Sequence, residues 1–135
     1  MTEGGCKKVS ASELSKALQE YIKVIHTLQE EHGSAAASDI AEQLGVRAPS
    51  VTSALRKLAS QGMVKYQKYQ EAKLTKKGRE VAIRLDRRHK TLMDFLLLIG
   101  VDECVAKTDA CEIEHIIHPE TIEKLAQYLE SIQKS

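Results

Sequence analysis

The chain contains no tryptophan, one phenylalanine and four tyrosines among 135 residues. With so few rings, its core must be made of Leu, Ile, Val and Ala. It has three cysteines, Cys6, Cys104 and Cys111, an odd number without the spacing of a disulfide scaffold. Such usage points to a reducing compartment. No apolar run reaches the roughly 20 residues of a membrane span. The N-terminus lacks the apolar centre of a signal peptide. A cytoplasmic chain with no membrane partner is therefore expected. Repeats and low-complexity blocks are absent too.

The net charge is only +1, but the charges are strongly segregated. Residues 1–46 hold four Lys/Arg against seven Asp/Glu, residues 47–90 hold thirteen against three, and residues 91–135 hold three against nine. A basic middle between acidic ends has the electrostatic footprint of a phosphate-binding surface. The acidic C-terminal part would be repelled by DNA and suits a cation instead.

That basic block begins at the chain's most informative stretch, Ser38 to Leu58. Its pattern predicts two short helices joined by a tight turn, the first capped by Ser38 or Asp39. Ile40, Ala41 and Leu44 form the apolar face of this first helix. Gly45 sits where a positive φ would close it, Val46 packs into the angle, and Pro49 suits the first turn of the second helix. There Val51, Ala54, Leu55 and Leu58 face inward, while Arg47, Ser50, Thr52, Ser53, Arg56 and Lys57 face outward. Small hydroxyls at the N-terminal end and cations along one side suit a major groove. A plain helical hairpin with a solvated charged face would share much of this pattern.

The residues that follow favour the DNA-binding reading. Gln61-Gly62 ends the second helix, Met63 to Tyr69 reads as a strand with no cleanly apolar face, and 70–72 gives a turn. Lys73-Leu74-Thr75 returns, and Thr75 caps a helix that starts at Lys76. Lys68 and Lys73 are cations of this wing. A winged helix-turn-helix has these parts in this order.

Upstream, residues 1–11 read as a disordered tail. A helix from Ala11 or Ser12 to about Glu31 carries an apolar stripe of Leu14, Leu18, Tyr21, Ile22, Ile25 and Leu28. Glu20 lies at the edge of that stripe. Downstream, helix 76–98 is basic at first (Arg79, Arg84, Arg87, Arg88) and almost wholly apolar from Leu92 to Leu98. Such an end needs cover, which makes self-association the natural expectation. Asp102 opens another helix, in which Cys111, Glu114 and His115 fall at i, i+3 and i+4 on one face. Thiolate, carboxylate and imidazole at that spacing suit a divalent transition ion. A surface helix with a Glu/His face and one buried Cys fits the same pattern. The last helix, Pro119 to Gln133, reads as packing.

Glu20-Tyr21-Ile22, the Ser38–Leu58 unit, the Leu74–Gly78 wing exit, Arg88-His89, Leu98–Asp102 and Cys111-x-x-Glu114-His115 together resemble one family. This is the metal-dependent repressors that include the diphtheria toxin repressor and the manganese transport regulator. The resemblance covers about residues 13–133. It implies a mainly α protein in the short form, lacking the SH3-like third domain of longer members. An N-terminal winged helix-turn-helix DNA-binding domain over 12–82 would precede a C-terminal helical metal-binding and dimerisation domain over 83–135. It also implies a homodimer that binds palindromic operator DNA when a divalent metal is held, and so controls metal-homeostasis genes.

By the same resemblance, Glu20 falls on a first-helix ligand position, Cys111, Glu114 and His115 on ligand positions of the dimerisation helices, and His89 on a ligand of a neighbouring metal position. Lys23 stands where manganese regulators carry a second first-helix carboxylate, and an ammonium has no lone pair for a metal. Met93 and Lys107 stand at ancillary-site positions of the iron-type members. The expected site is therefore mixed, with one well-supplied metal position. A thiolate donor shifts selectivity away from Mn(II) toward Fe(II), Co(II), Ni(II) or Zn(II). Labile ferrous iron in a reducing cytosol makes Fe(II) the first expectation and Mn(II) the second, with Co(II), Ni(II) and Zn(II) binding in vitro. The expected mechanism is that metal fixes the angle between the DNA-binding unit and the dimer core. The two recognition helices then sit about 34 Å apart, with the Arg84/Arg87/Arg88 region on phosphates. Two rivals remain at this level. One is a metal-independent winged-helix regulator that senses redox through Cys111 or a small ligand. The other is an enzyme with Cys111 as nucleophile and His115 as base. No oxyanion-hole loop accompanies that pair, so no enzyme is expected.

Overall fold

The structure is a computed structural model that describes residues 14–66 and 71–133. The predicted tail over 1–11 lies outside the described residues. The chain forms two compact units, one ending at Arg87 and one beginning at Arg88, and a single helix contributes to both. The elements are α1 (Lys16–His32), α2 (Ala37–Leu44), α3 (Ala48–Ser60), β1 (Val64–Lys65), β2 (Lys73–Leu74), α4 (Lys76–Leu98), α5 (Glu103–Ile113) and α6 (Pro119–Gln133).

In the first unit, α1 begins four to five residues later than expected. Ser15 caps it, its hydroxyl accepting from the Leu18 N–H at 3.2 Å. This hydroxyl, followed by an unbroken apolar stripe, is a stronger start signal than the small residues before it. Tyr21, Ile22, Ile25 and Leu28 are buried along the helix, and Gly33 closes it. Burial also raises the Tyr21 phenol above its ordinary pKa of 10.0.

Helix α2 starts before the predicted caps. Its N-cap is Ala36, which makes no side-chain cap bond, and Ser38 and Asp39 lie inside the first turn. An isolated β-bridge between Ala35 and Ala72 holds the chain here and so sets where α2 begins. Gly45 closes α2 at φ 66°, a conformation that costs glycine little, and Pro49 lies in the first turn of α3 as expected. Val51, Ala54, Leu55 and Leu58 face the core.

The wing is antiparallel, with Val64 opposite Leu74 and Lys65 opposite Lys73. Contrary to the expectation of mixed faces, its base is two-sided. Val64 and Leu74 are buried while Lys65 and Lys73 point out. Its packing is fixed from α1, where the Gln29 side-chain oxygen accepts from the Leu74 N–H at 2.8 Å. Thr75 ties the wing to α4: its Oγ1 donates to the Gly62 carbonyl at 2.6 Å and accepts from the Gly78 N–H at 3.1 Å. Gly78 is required because a Cβ there would collide with the Met63 carbonyl. One apolar cluster seals the unit, joining α1, α2, α3, the wing and the first half of α4 through Ile22, Ile40, Leu55, Leu58, Val64 and Leu85.

In the second unit, Gly100 ends α4 and the Asp102 carboxylate caps α5 by accepting from the Cys104 N–H at 3.1 Å. Its buried apolar residues are few: Leu92, Ala106, Ala110 and Leu129. Among the described residues, no helix is long and apolar enough to cross a membrane.

Candidate metal centre and nucleic-acid interface

The second unit buries two charged residues, and both belong to one cluster. Glu114 is 0% exposed and Arg88 is 7% exposed. Glu114 is the C-cap residue of α5, so its main chain leaves the helix there while its side chain turns inward. One carboxylate oxygen lies 2.8 Å from His89 Nδ1 on α4. The other lies 3.5 Å from Nε2 of His115, whose side chain is 2% exposed. The Arg88 guanidinium donates to the Glu114 carbonyl at 3.2 Å. A buried carboxylate is costly unless it is paired or coordinates an ion, and here two imidazoles flank it.

The structure thus brings together His89, Glu114 and His115. Cys111 is half-buried one turn earlier on α5. The prediction that Cys111, Glu114 and His115 share one helical face is corrected at its end. Helix α5 stops at Ile113, and the His115 N–H reaches back to the Glu112 carbonyl in a tighter turn. Glu20 belongs to the other unit, half-buried on α1. Among the described residues, no group of three or more His, Cys, Asp or Glu side chains is arranged to hold a metal ion. His89 Nδ1 is engaged with Glu114. The donor set nevertheless fits a metal ion: carboxylate oxygens and imidazole nitrogens are ordinary ligands for divalent transition metals.

The candidate DNA surface lies on the first unit. Arg47, Ser50, Ser53, Arg56, Lys57 and Lys73 are exposed and Thr52 is half-buried, while Lys68 lies outside the described residues. Ser50, Ser53 and Lys57 line an open cleft of about 420 Å³ whose opposite wall is Leu18 and Tyr21 of α1. The phosphate-contact expectation fails for Arg88, whose guanidinium is buried against Glu114, whereas Arg84 and Arg87 remain exposed. The missed signal was in the sequence. Val81, Leu85, Arg88 and Leu92 are spaced i, i+4, i+7 and i+11, so Arg88 falls on the buried stripe of α4.

The iron-dependent repressor models match nearly the whole chain, the N-terminal DNA-binding domain over residues 7–72 and the metal-binding and dimerisation domain over residues 75–135. The chain belongs to the iron-dependent repressor family. The family is one of DNA-binding transcriptional regulators that bind divalent metal and dimerise, not of enzymes. Within it, the chain is 41% identical over 117 residues to the HTH-type transcriptional regulator MntR of Bacillus subtilis, a match spanning 84% of this chain and 82% of that protein. MntR of Bacillus velezensis matches equally well. Among solved structures, a manganese-dependent transcriptional repressor in complex with manganese is similar at TM-score 0.75 and 31% identity, over 84% of this chain and 52% of that one. The manganese regulator SloR is similar at TM-score 0.73 and 29% identity, over 84% and 53%. The chain thus spans about half the length of these two family members. As a repressor of this family, it pairs a DNA-binding unit with a dimerisation unit. Leu97, Leu98, Ile99 and Val105, each more than two-fifths exposed in the single chain, lie in the part matched by the dimerisation model.

Proposed function

We propose that this chain represses metal-homeostasis genes in the cytoplasm, binding a palindromic operator as a homodimer when a divalent metal is held by Glu114 and His115. The observation that carries this reading is the fully buried Glu114 carboxylate between two imidazoles, in the part of the chain matched by the metal-binding model. When bound, the ion would add positive charge beside the buried carboxylate. Glu114 provides the charged oxygen donor and His115 the neutral nitrogen donor. Cys111 is a third candidate from α5. Glu20 and the ligand role of His89 rest on the family resemblance. His89 also has a second use, since its Nδ1–H holds the carboxylate in place.

Manganese is our first choice and iron the second, the reverse of the order expected from the sequence. Solved relatives described as manganese regulators support manganese. On DNA, Ser50, Thr52, Ser53 and Arg47 are assigned to base edges. Arg56, Lys57, Lys68, Lys73, Arg84 and Arg87 are assigned to phosphates. Coupling between metal and DNA of about 1–3 kcal/mol is typical of such switches.

The test is anaerobic fluorescence anisotropy on genomic fragments with Mn(II), Fe(II), Co(II) and Zn(II) titrated separately, alongside His115→Ala. Metal-dependent binding that His115→Ala abolishes is the expected result, with Mn(II) effective at the lowest free concentration. Equal binding in chelator would refute the metal switch and leave a metal-independent winged-helix regulator.

A further inference from the structure

We infer that Arg88 is a positioning residue for the metal centre, holding the main chain of Glu114 so that its carboxylate and the following imidazole are aimed before any ion arrives. The inference rests on the metal reading above and goes beyond it, since no ligand role is available to a guanidinium.

Two consecutive residues of α4 grip the same residue of the neighbouring helix end. Arg88 Nη1 donates to the Glu114 main-chain carbonyl at 3.2 Å, and His89 Nδ1 meets the Glu114 side chain at 2.8 Å. Glu114 is the first residue past α5, and its carbonyl lies at the end where the helix dipole leaves negative charge. A cation satisfies such a carbonyl well. It also neutralises part of the charge gathered where Glu114 is 0% exposed.

The placement has consequences for His115 as well. The chain turns tightly after Glu114, with the His115 and Ile116 N–H groups bonded back to Glu112 and Ile113. Rotation of the 114–115 peptide would redirect both side chains together. Anchoring that peptide's carbonyl therefore restrains two candidate ligands with one hydrogen bond. A guanidinium this deeply buried (7% exposed) is an expensive way to fill space. The apolar residues before and after it on the stripe, Leu85 and Leu92, show what α4 uses where only packing is needed.

The experiment uses the full chain, stripped of metal and kept anaerobic, with Co(II) as probe. Co(II) affinity and the ligand-field absorption are measured for wild type, Arg88→Met and Arg88→Lys, with helicity and oligomeric state followed on the same samples. Arg88→Met keeps the apolar stem and removes the donors. Its Co(II) affinity is expected to fall roughly ten- to a hundredfold, the usual cost of removing a supporting partner, with an altered absorption band and unchanged helicity. Arg88→Lys restores a single donor and is expected to recover much of the affinity. An Arg88→Met protein within twofold of wild type, with the same band, would overturn the inference and leave Arg88 a packing residue. Should Arg88→Met lose its helicity, Arg88→Lys decides: a folded protein with the wild-type band and affinity upholds the donor role, and one with neither overturns it. Wild-type protein that takes up no Co(II) would instead refute the metal reading on which this inference stands.

Discussion

The two units solve the problem of folding in different ways. In the first, α1, α2, α3, the wing and the start of α4 close around one apolar cluster, and Leu55, Leu58 and Ile22 are wholly buried. In the second, the described buried residues are four apolar side chains, two of them alanines, and the charged pair Arg88 and Glu114. It also leaves Ile99 59% and Leu98 52% exposed. The first unit therefore draws its stability from its own interior. The second leaves apolar side chains exposed in its dimerisation domain, and its buried Glu114 carboxylate is where we propose the cation binds. A regulator benefits from that division, because the part that senses must respond to what binds it while the part that reads DNA keeps its shape.

The largest effect that should expose the contrast is in the first unit. Leu55→Ala opens a cavity in a sealed core and is expected to cost about 2–5 kcal/mol in urea denaturation, with or without metal. A loss under 1 kcal/mol would mean that the cluster is far more pliable than its burial indicates. Next comes the response to metal. Free Mn(II) at a hundred times its Kd is expected to stabilise the folded protein by about 2.7 kcal/mol. Hydrogen exchange should show that protection concentrated in residues 103–118, with 37–60 little changed. Equal protection of α3 would erase the distinction between the units. The smallest effect concerns Tyr21. Its folded pKa is raised by burial, so the folded protein holds the phenolic proton more tightly than the unfolded chain does. Its contribution is intact below pH 10 and is lost as pH rises through the folded value. Tyr21→Phe is expected to flatten the loss of stability above pH 10 in alkaline melts, and an unchanged slope would assign that loss to other groups.

Much of the first unit was legible because its signals are local. Gly45 at a helix end, Pro49 in a first turn, Thr75 before Lys76 and the 51/54/55/58 stripe each depend on residues within one or two turns. Where the reading slipped, the determinant came from farther along the chain. Ala72 pairs with Ala35 and so moves the start of α2. Gln29 reaches Leu74 across 45 residues and turns one face of the wing base inward. The candidate site divides the same way. The 111/114/115 spacing marked Cys111, Glu114 and His115 as candidate ligands, but it said nothing of α5 stopping at Ile113.

By itself, then, the sequence determined the winged helix-turn-helix order, the basic middle flanked by acidic ends, and the family to which both domains belong. The first two follow from periodicity, capping and charge, which are properties of neighbouring residues, and the family was implied by the resemblance of motifs such as Cys111-x-x-Glu114-His115. Only the tertiary structure decided that Arg88 leaves the phosphate-contact set to grip the Glu114 carbonyl, and that His89 meets the Glu114 carboxylate. Both depend on α4 packing beside the end of α5, a contact between residues 25 and 26 positions apart. No local pattern encodes such a distance, because it is set by how two separately amphipathic helices share one small core.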